Sequence, residues 1–147
     1  MFQCILLATD GSTLSRKAVK SGIELAALTG AQVIVLKVVP RYPISYFEGG
    51  LSAPMKDVTL IEKQWAESAL AIVEGVKASA EARGVKAKTV TIKSDLIAES
   101  IIAAAKKHKC DLIVMASHGR RGLKRLLLGS ETTHVLTHSH IPVLVLR

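Results

Sequence analysis

The chain alternates between short apolar runs and longer stretches whose apolar residues recur every three or four positions. The first run, Cys4 to Thr9 (CILLAT), is nearly continuous, the pattern of a strand buried on both faces of a parallel sheet. Asp10, Gly11 and Ser12 break it. From Ser12, a good N-cap, the residues Ala18, Ile23, Ala26 and Ala27 form a helical stripe that stops at Gly30. Val33 to Val39 predicts a second buried strand, closed by Pro40. Residues 40 to 55 hold three of the four prolines, two adjacent glycines and three of the five aromatics, so a long, lid-like connection is expected there. Val58, Ile61, Trp65, Ala69, Ile72, Val76 and Ala80 then predict a long amphipathic helix ending near Gly84, with Trp65 in the core.

Val85 to Lys93 alternates loosely between apolar and polar residues, as an outer strand with one wetter face does. Ser94 or Asp95 is expected to cap the next helix. That helix carries Ile97, Ile101, Ile102 and Ala105 inward and ends in Lys106, Lys107 and Lys109, which complement its negative C-terminal dipole. Asp111 to Ala116 (DLIVMA) predicts a fourth buried strand, followed by a loop from Ser117 to Gly129. Ser130 is expected to cap a short helix carrying Val135 and Leu136, and Pro142 opens a last strand, Val143 to Leu146. Strict alternation of strand and helix implies right-handed crossovers and a parallel sheet covered on both faces, an α/β fold in three Rossmann-like α/β/α layers.

Composition narrows the class without changing this picture. The 147 residues, 49% apolar and 22% charged, fit one soluble globular domain spanning 1–147, with no internal repeat. Cys4 and Cys110 lack C-x-x-C spacing and adjoin apolar runs, so both read as small buried hydrophobes in a reducing compartment. Apolar stretches fall well short of the roughly 20 residues a membrane helix needs. Residues 1 to 10 show no basic leader, and a cytoplasmic location is expected. The formal charge of +8 favours an anionic partner. Specific nucleic-acid binding is not expected, because aromatics are not interleaved with basic residues and a helix-turn-helix conflicts with the strand alternation.

In open α/β sheets ligands sit outside the carboxyl ends of strands, where the strand order reverses. Two loops have the right character: Asp10-Gly11-Ser12 after the first strand, and Ser117-His118-Gly119-Arg120-Arg121-Gly122 after the fourth. The second runs on to Gly129-Ser130 at a helix start, with nine residues between Gly119 and Gly129. Glycines let backbone N–H groups approach phosphate oxygens without a Cβ in the way, and a helix N-terminus adds unpaired N–H groups. His118, Arg120, Arg121, Lys124 and Arg125 concentrate basic groups on this loop, either as phosphate partners or as a solvated basic surface. His134, His138 and His140 lie close in sequence, yet nothing supplies a convincing fourth zinc ligand. A hydrolase triad is not expected, since no G-x-S-x-G elbow is present.

These residues resemble the universal stress protein family, whose ATP-binding members carry G-x2-G-x9-G-[ST] after the fourth strand. The ATDGS opening, the DLIVMASHGR strand and loop, the LLLGSE segment and the IPVLVLR terminus match in order across essentially the whole chain. The departure is Ala116, which stands where the ATP-binding pattern has its first glycine. If that position required a positive φ, a Cβ would cost about 1 to 2 kcal/mol; with a negative φ the methyl would matter only through contact with the ligand.

The resemblance implies a five-stranded parallel sheet of order 3-2-1-4-5 with ATP, or ADP or AMP, between the ends of strands one and four. Carried over by position, Ala8, Thr9 and Asp10 would lie near the adenosine, with Asp10 available to ribose hydroxyls or to nucleotide-bound Mg. Val38 would hold the adenine through its backbone. Ala116, Ser117, His118, Gly119, Arg120, Arg121 and Gly122 would wrap the ribose and phosphates, and Gly129, Ser130, Glu131 and Thr132 would close the phosphate end. It further implies a homodimer paired through the last strand. The function expected is a stress-response regulatory module that presents its bound state to a protein partner. The alternatives are slow ATP hydrolysis, disfavoured by the absence of a Walker lysine loop, or a homologue that binds no nucleotide and acts by protein contact.

Overall fold

A computed structural model describes residues 1–43, 55–119 and 128–147. The expected lid within residues 40 to 55 lies largely outside them, as do Arg120, Arg121, Gly122, Lys124 and Arg125 of the basic loop. The elements run β1 (Cys4–Ala8), α1 (Thr13–Thr29), β2 (Gln32–Val39), α2 (Met55–Glu81), β3 (Ala87–Lys93), α3 (Ile97–Lys107), β4 (Leu112–Ala116), α4 (Ser130–His138) and β5 (Val143–Leu146). All strand pairs are parallel, in the order β3-β2-β1-β4-β5.

The continuous apolar runs have a direct cause, since alternate side chains of β1, β2 and β4 enter two different cores. Ile5, Leu7, Val33, Val35, Leu112 and Val114 meet Val19, Ile23 and Ala26 of α1 and Val73 and Ala80 of α2. On the opposite face Leu6, Ile34, Leu36, Ile113 and Met115 meet Ala98, Ile101 and Ala105 of α3 and Val135 of α4. α1 lies tight against the seam between β1 and β4. A Cβ on Gly22 would fall 2.4 Å from Leu7 Cδ2 and 3.4 Å from Val114 Cγ1.

Ser12 and Gly30 end α1 as expected. The Ser12 hydroxyl accepts from Ser15 N–H, and Gly30 takes a left-handed conformation at φ 73°. α2 differs in two details. Ala69 and Ala80 are buried as expected, but they are joined by Val73, fully buried, while the neighbouring Ile72 is only half-buried. Trp65 is half-buried rather than core, with its ring 5.9 Å from that of Tyr42 at 35°. α2 has 27 residues, about 40 Å of helix, against about 26 Å for the 8 residues of β2, so its early turns overhang the sheet.

Neither Ser94 nor Asp95 caps α3. Ser94 Oγ accepts from Leu96 N–H, and Asp95 Oδ1 accepts from the main chain of Arg41. The first turn of α3 is served instead by Glu131 of α4, whose Oε2 accepts from Ala98 N–H at 2.9 Å. At its other end α3 closes with Lys109 N–H on Lys106 C=O and Cys110 N–H on Ala105 C=O, the Schellman pattern, with Lys109 at φ 55° where glycine is usual. For α4 the N-cap is Gly129, not Ser130, which is its first helical residue. Val135 is buried, whereas Leu136 is exposed.

Candidate functional site

The strand order reverses at β1, whose chain leaves toward α1 on one face while β4 is reached from α3 on the other. β1 and β4 stay in register for three pairs, Ile5 with Leu112 to Leu7 with Val114. Beyond that they part. Thr9 N–H turns to Leu36 C=O of β2 at 3.0 Å, and Ser117 N–H turns to Leu146 C=O of β5 at 2.8 Å. The main-chain groups that would have continued the β1–β4 ladder therefore lie at the switch point of the sheet's carboxyl edge, the place where open α/β sheets form a ligand crevice.

β2 contributes to the same edge by parity. Along a strand the N–H and C=O of one residue point to one side, and alternate residues point to opposite sides. Leu36 C=O faces β1, while Val39 C=O faces β3, where it accepts from Ser94 N–H. Val38 thus directs its peptide groups toward β1, which has already ended at Ala8. The Lys37 ammonium reaches the Val38 carbonyl at 3.4 Å, a basic group in the crevice that motif matching did not single out.

The wall after β1 is a polar turn with local hydrogen bonds. Asp10 Oδ1 accepts from Ser12 N–H at 2.9 Å, and Thr9 Oγ1 accepts from Gly11 N–H at 3.2 Å while sharing a 3.0 Å hydrogen bond with Ser15 Oγ. Gly11 at φ 80° lets the chain reverse into the Ser12 cap without strain. Ser15, buried in the first turn of α1, is part of this network; its only sequence signal was its place one turn after the cap.

The wall after β4 is pinned from α4. The Thr132 hydroxyl, buried, donates to Ala116 C=O at 3.0 Å, and Gly129 N–H donates to Ser117 C=O at 2.8 Å. A Cβ on Gly129 would lie 3.2 Å from Ser117 O and 3.5 Å from His118 Cα, tighter than most such contacts. Ser117 Oγ pairs with His118 Nδ1 at 3.0 Å. Gly119 brings the two walls together, since a Cβ there would stand 3.1 Å from Asp10 Oδ2. Neither Gly119 nor Gly129 has a positive φ, so close approach rather than conformation explains both glycines. Ala116 likewise has no positive φ and pairs with Leu146, so the departure from the family's glycine carries no backbone strain.

The expected site residues thus divide. Ala8, Thr9 and Asp10 end β1; Ala116, Ser117, His118 and Gly119 leave β4; and Gly129, Ser130 and Thr132 open α4 at the same edge. The Gly129 amide closes the loop instead of facing outward. Ser130, Glu131 and Thr132 hold the N–H groups that precede the first intrahelical bond of α4, from Thr133 N–H to Gly129 C=O. Glu131 turns its carboxylate away, to Ala98 N–H of α3. Arg120, Arg121 and Gly122 lie outside the described residues. Among the described residues no group of three or more His, Cys, Asp or Glu side chains is arranged to hold a metal.

Known proteins share this architecture over its full length. A profile described as the universal stress protein family matches residues 1–147. The chain is 36% identical to universal stress protein MJ0531 of Methanocaldococcus jannaschii over 147 residues, covering all of this chain and 83% of that protein. It superposes on the solved structure of MJ0577 from the same organism with a TM-score of 0.83 at 31% identity, covering 99% of this chain and 96% of that one. The fold is also that of an Arabidopsis thaliana family protein solved with AMP bound (TM-score 0.68, 17% identity, 98% and 90% covered). It is shared too with a universal stress protein solved in complex with cAMP (TM-score 0.72, 22% identity, 99% and 97% covered). With the family profile spanning the whole chain and relatives above 30% identity aligned end to end, the chain belongs to the universal stress protein family.

Proposed function

We propose that this chain is a nucleotide-binding regulatory module, with an adenine nucleotide held in the crevice between β1 and β4 and its bound state read by a protein partner. The observation that carries the proposal is the meeting of the two walls at Gly119 and Asp10, where an added Cβ would stand 3.1 Å from the carboxylate oxygen and oblige it to give way. The residues present suit such a ligand. Val38 offers a peptide edge for the base, and Asp10 a carboxylate for ribose hydroxyls or for Mg carried by the phosphates. The first-turn N–H groups of α4 and the Ser130 hydroxyl suit a phosphate. Glu131 takes part through its main chain, because its carboxylate serves α3. Family members solved with AMP and with cAMP support an adenine nucleotide as the ligand class. ATP is the nucleotide favoured by the glycine and serine pattern around 119 and 129 to 130.

Isothermal titration with ATP, ADP and AMP, with and without Mg, tests this directly. Binding by the native chain is expected, with at least a tenfold loss of affinity, about 1.4 kcal/mol, in Gly119→Val. No heat at millimolar nucleotide would overturn the assignment.

A cytoplasmic homodimer paired through β5 belongs to the same proposal. β5 lies at the sheet edge with Leu144 exposed, and an apolar edge strand of this kind favours a self-complementary partner strand. Light scattering is expected to give a dimer mass for the native chain and a monomer mass for Leu144→Lys. A monomeric native chain at micromolar concentration would remove the dimer.

A further inference from the structure

Far from the crevice, at the amino edge of the sheet, two cysteines separated by 106 positions lie side by side. Cys4 Sγ and Cys110 Sγ are 3.3 Å apart, both buried at 4% and 6% exposure. The arrangement is built by main-chain geometry. Asp111 N–H donates to Cys4 C=O at 2.9 Å, which sets the first residue of β1 beside the start of β4. The Asp111 carboxylate returns to Gln3 N–H and Cys4 N–H at 2.9 and 3.1 Å. On the other side, the Schellman turn at Lys109 folds Cys110 back under Ala105, and Cys4 Sγ lies 3.7 Å from His108 C=O at the same turn. Each thiol directly follows an exposed residue, Gln3 or Lys109, so the pair sits one layer below the surface.

We propose that Cys4 and Cys110 are an oxidisable dithiol that closes to an intramolecular disulfide when the protein meets hydrogen peroxide. The chemistry balances as two steps. One sulfur, as thiolate, attacks an oxygen of hydrogen peroxide; the O–O bond breaks, hydroxide leaves and takes up that thiol's proton to become water, and a sulfenic acid remains. The second sulfur, as thiolate, attacks the sulfenic sulfur, the S–S bond forms, and hydroxide leaves to become the second water. The two thiol protons end in the two waters, both sulfurs are oxidised, and the peroxide is reduced. Closure needs a movement of about 1.3 Å, from 3.3 Å to the roughly 2.0 Å of an S–S bond. Burial first, and then the hydrogen bond shared with Cys4, push the Cys110 thiol far above its ordinary range. A buried thiol pair is slow to react, so closure is expected under sustained exposure to the oxidant.

The disulfide would tie β1 to β4 at the end remote from the crevice and close a loop of about 100 residues, which lowers the entropy of the unfolded chain. The test treats the native full-length chain with hydrogen peroxide, followed by non-reducing peptide mapping and thermal melts. The expected product is monomer-linked, lighter by two hydrogens, with the Cys4 and Cys110 peptides joined. Its Tm is expected to rise by about 5 to 10 °C, returning to the starting value on reduction. Cys4→Ala and Cys110→Ala, each a small hydrophobe for a small hydrophobe, are expected to lose both the linkage and the rise. Sulfinic or sulfonic acids without cross-link, disulfides between chains only, or no oxidation of the folded chain under conditions that oxidise it in urea would each overturn the proposal. The mapping on the native chain decides this even if an alanine variant fails to fold.

Discussion

At their amino ends β1 and β4 are laced together, while at their carboxyl ends the same two strands separate. The amino ends share the Asp111 carboxylate on Gln3 and Cys4, the Asp111 to Cys4 main-chain bond and the thiol pair. The carboxyl ends turn to different neighbours, β2 and β5, and each is completed by the helix that follows or pins it. Polar groups at the closed end are spent on one another; at the open end main-chain groups and the Asp10 and Gly119 contact border a crevice. The difference teaches how one topological reversal yields a laced base and an open edge from two strands of five residues each.

Gly22→Val tests the seam common to both ends and should have the largest effect. The added branches collide with Leu7, fully buried between α1 and the sheet, and about 3 kcal/mol of stability is expected to be lost in urea unfolding. Asp111→Ala breaks the closed end alone. It strands two N–H groups near the sheet edge and should cost about 2 kcal/mol, with little change in nucleotide affinity. Thr132→Val works on the open end. It removes the donor to Ala116 C=O, costs about 1 kcal/mol, and should weaken nucleotide binding more than Asp111→Ala does. Equal losses of affinity from the two would erase the distinction between base and crevice.

The smallest effect lies beside the crevice, at the carboxyl end of β3. Glu62 is held below the usual carboxylate range, chiefly by its hydrogen bond from Lys93. A carboxyl whose folded value is depressed contributes stability above its unfolded value of about 4.3, and that contribution is lost as pH falls through the lower folded value. Lys93→Met should therefore lower stability slightly at neutral pH and flatten the acid limb of the profile, with the native and variant curves converging at low pH.

Much of this fold was legible because its signals are local. Uninterrupted apolar runs marked β1, β2 and β4 as strands with two buried faces, and Ser12 and Gly30 bounded α1 through groups within one turn of each. The rotation of α2 was less legible, since Ile72 and Val73 are both apolar and periodicity alone does not choose between adjacent positions. Trp65 was misplaced because hydrophobicity does not report that a helix overhangs its sheet. Glu131 serving α3, and Cys4 meeting Cys110, join residues 33 and 106 positions apart. Such pairs follow from strand register and helix docking, which become visible only in three dimensions. At the site, the glycines at 119 and 129 were expected to let main-chain amides approach a phosphate, whereas the contacts seen are with Asp10 for Gly119 and with Ser117 and His118 for Gly129. The engagement of the Gly129 amide and the Lys37 ammonium on Val38 required coordinates.

The central claim is that an adenine nucleotide lies at the open end of β1 and β4. The most direct measurement is an amide-resolved NMR titration of the native chain with AMP and with ATP. Shifts are predicted at Thr9 to Ser12, Val38, Ser117 to Gly119 and Ser130 to Glu131, with Gln3, Cys4 and Asp111 unmoved. Shifts centred on the amino ends, or none at millimolar nucleotide, would contradict it.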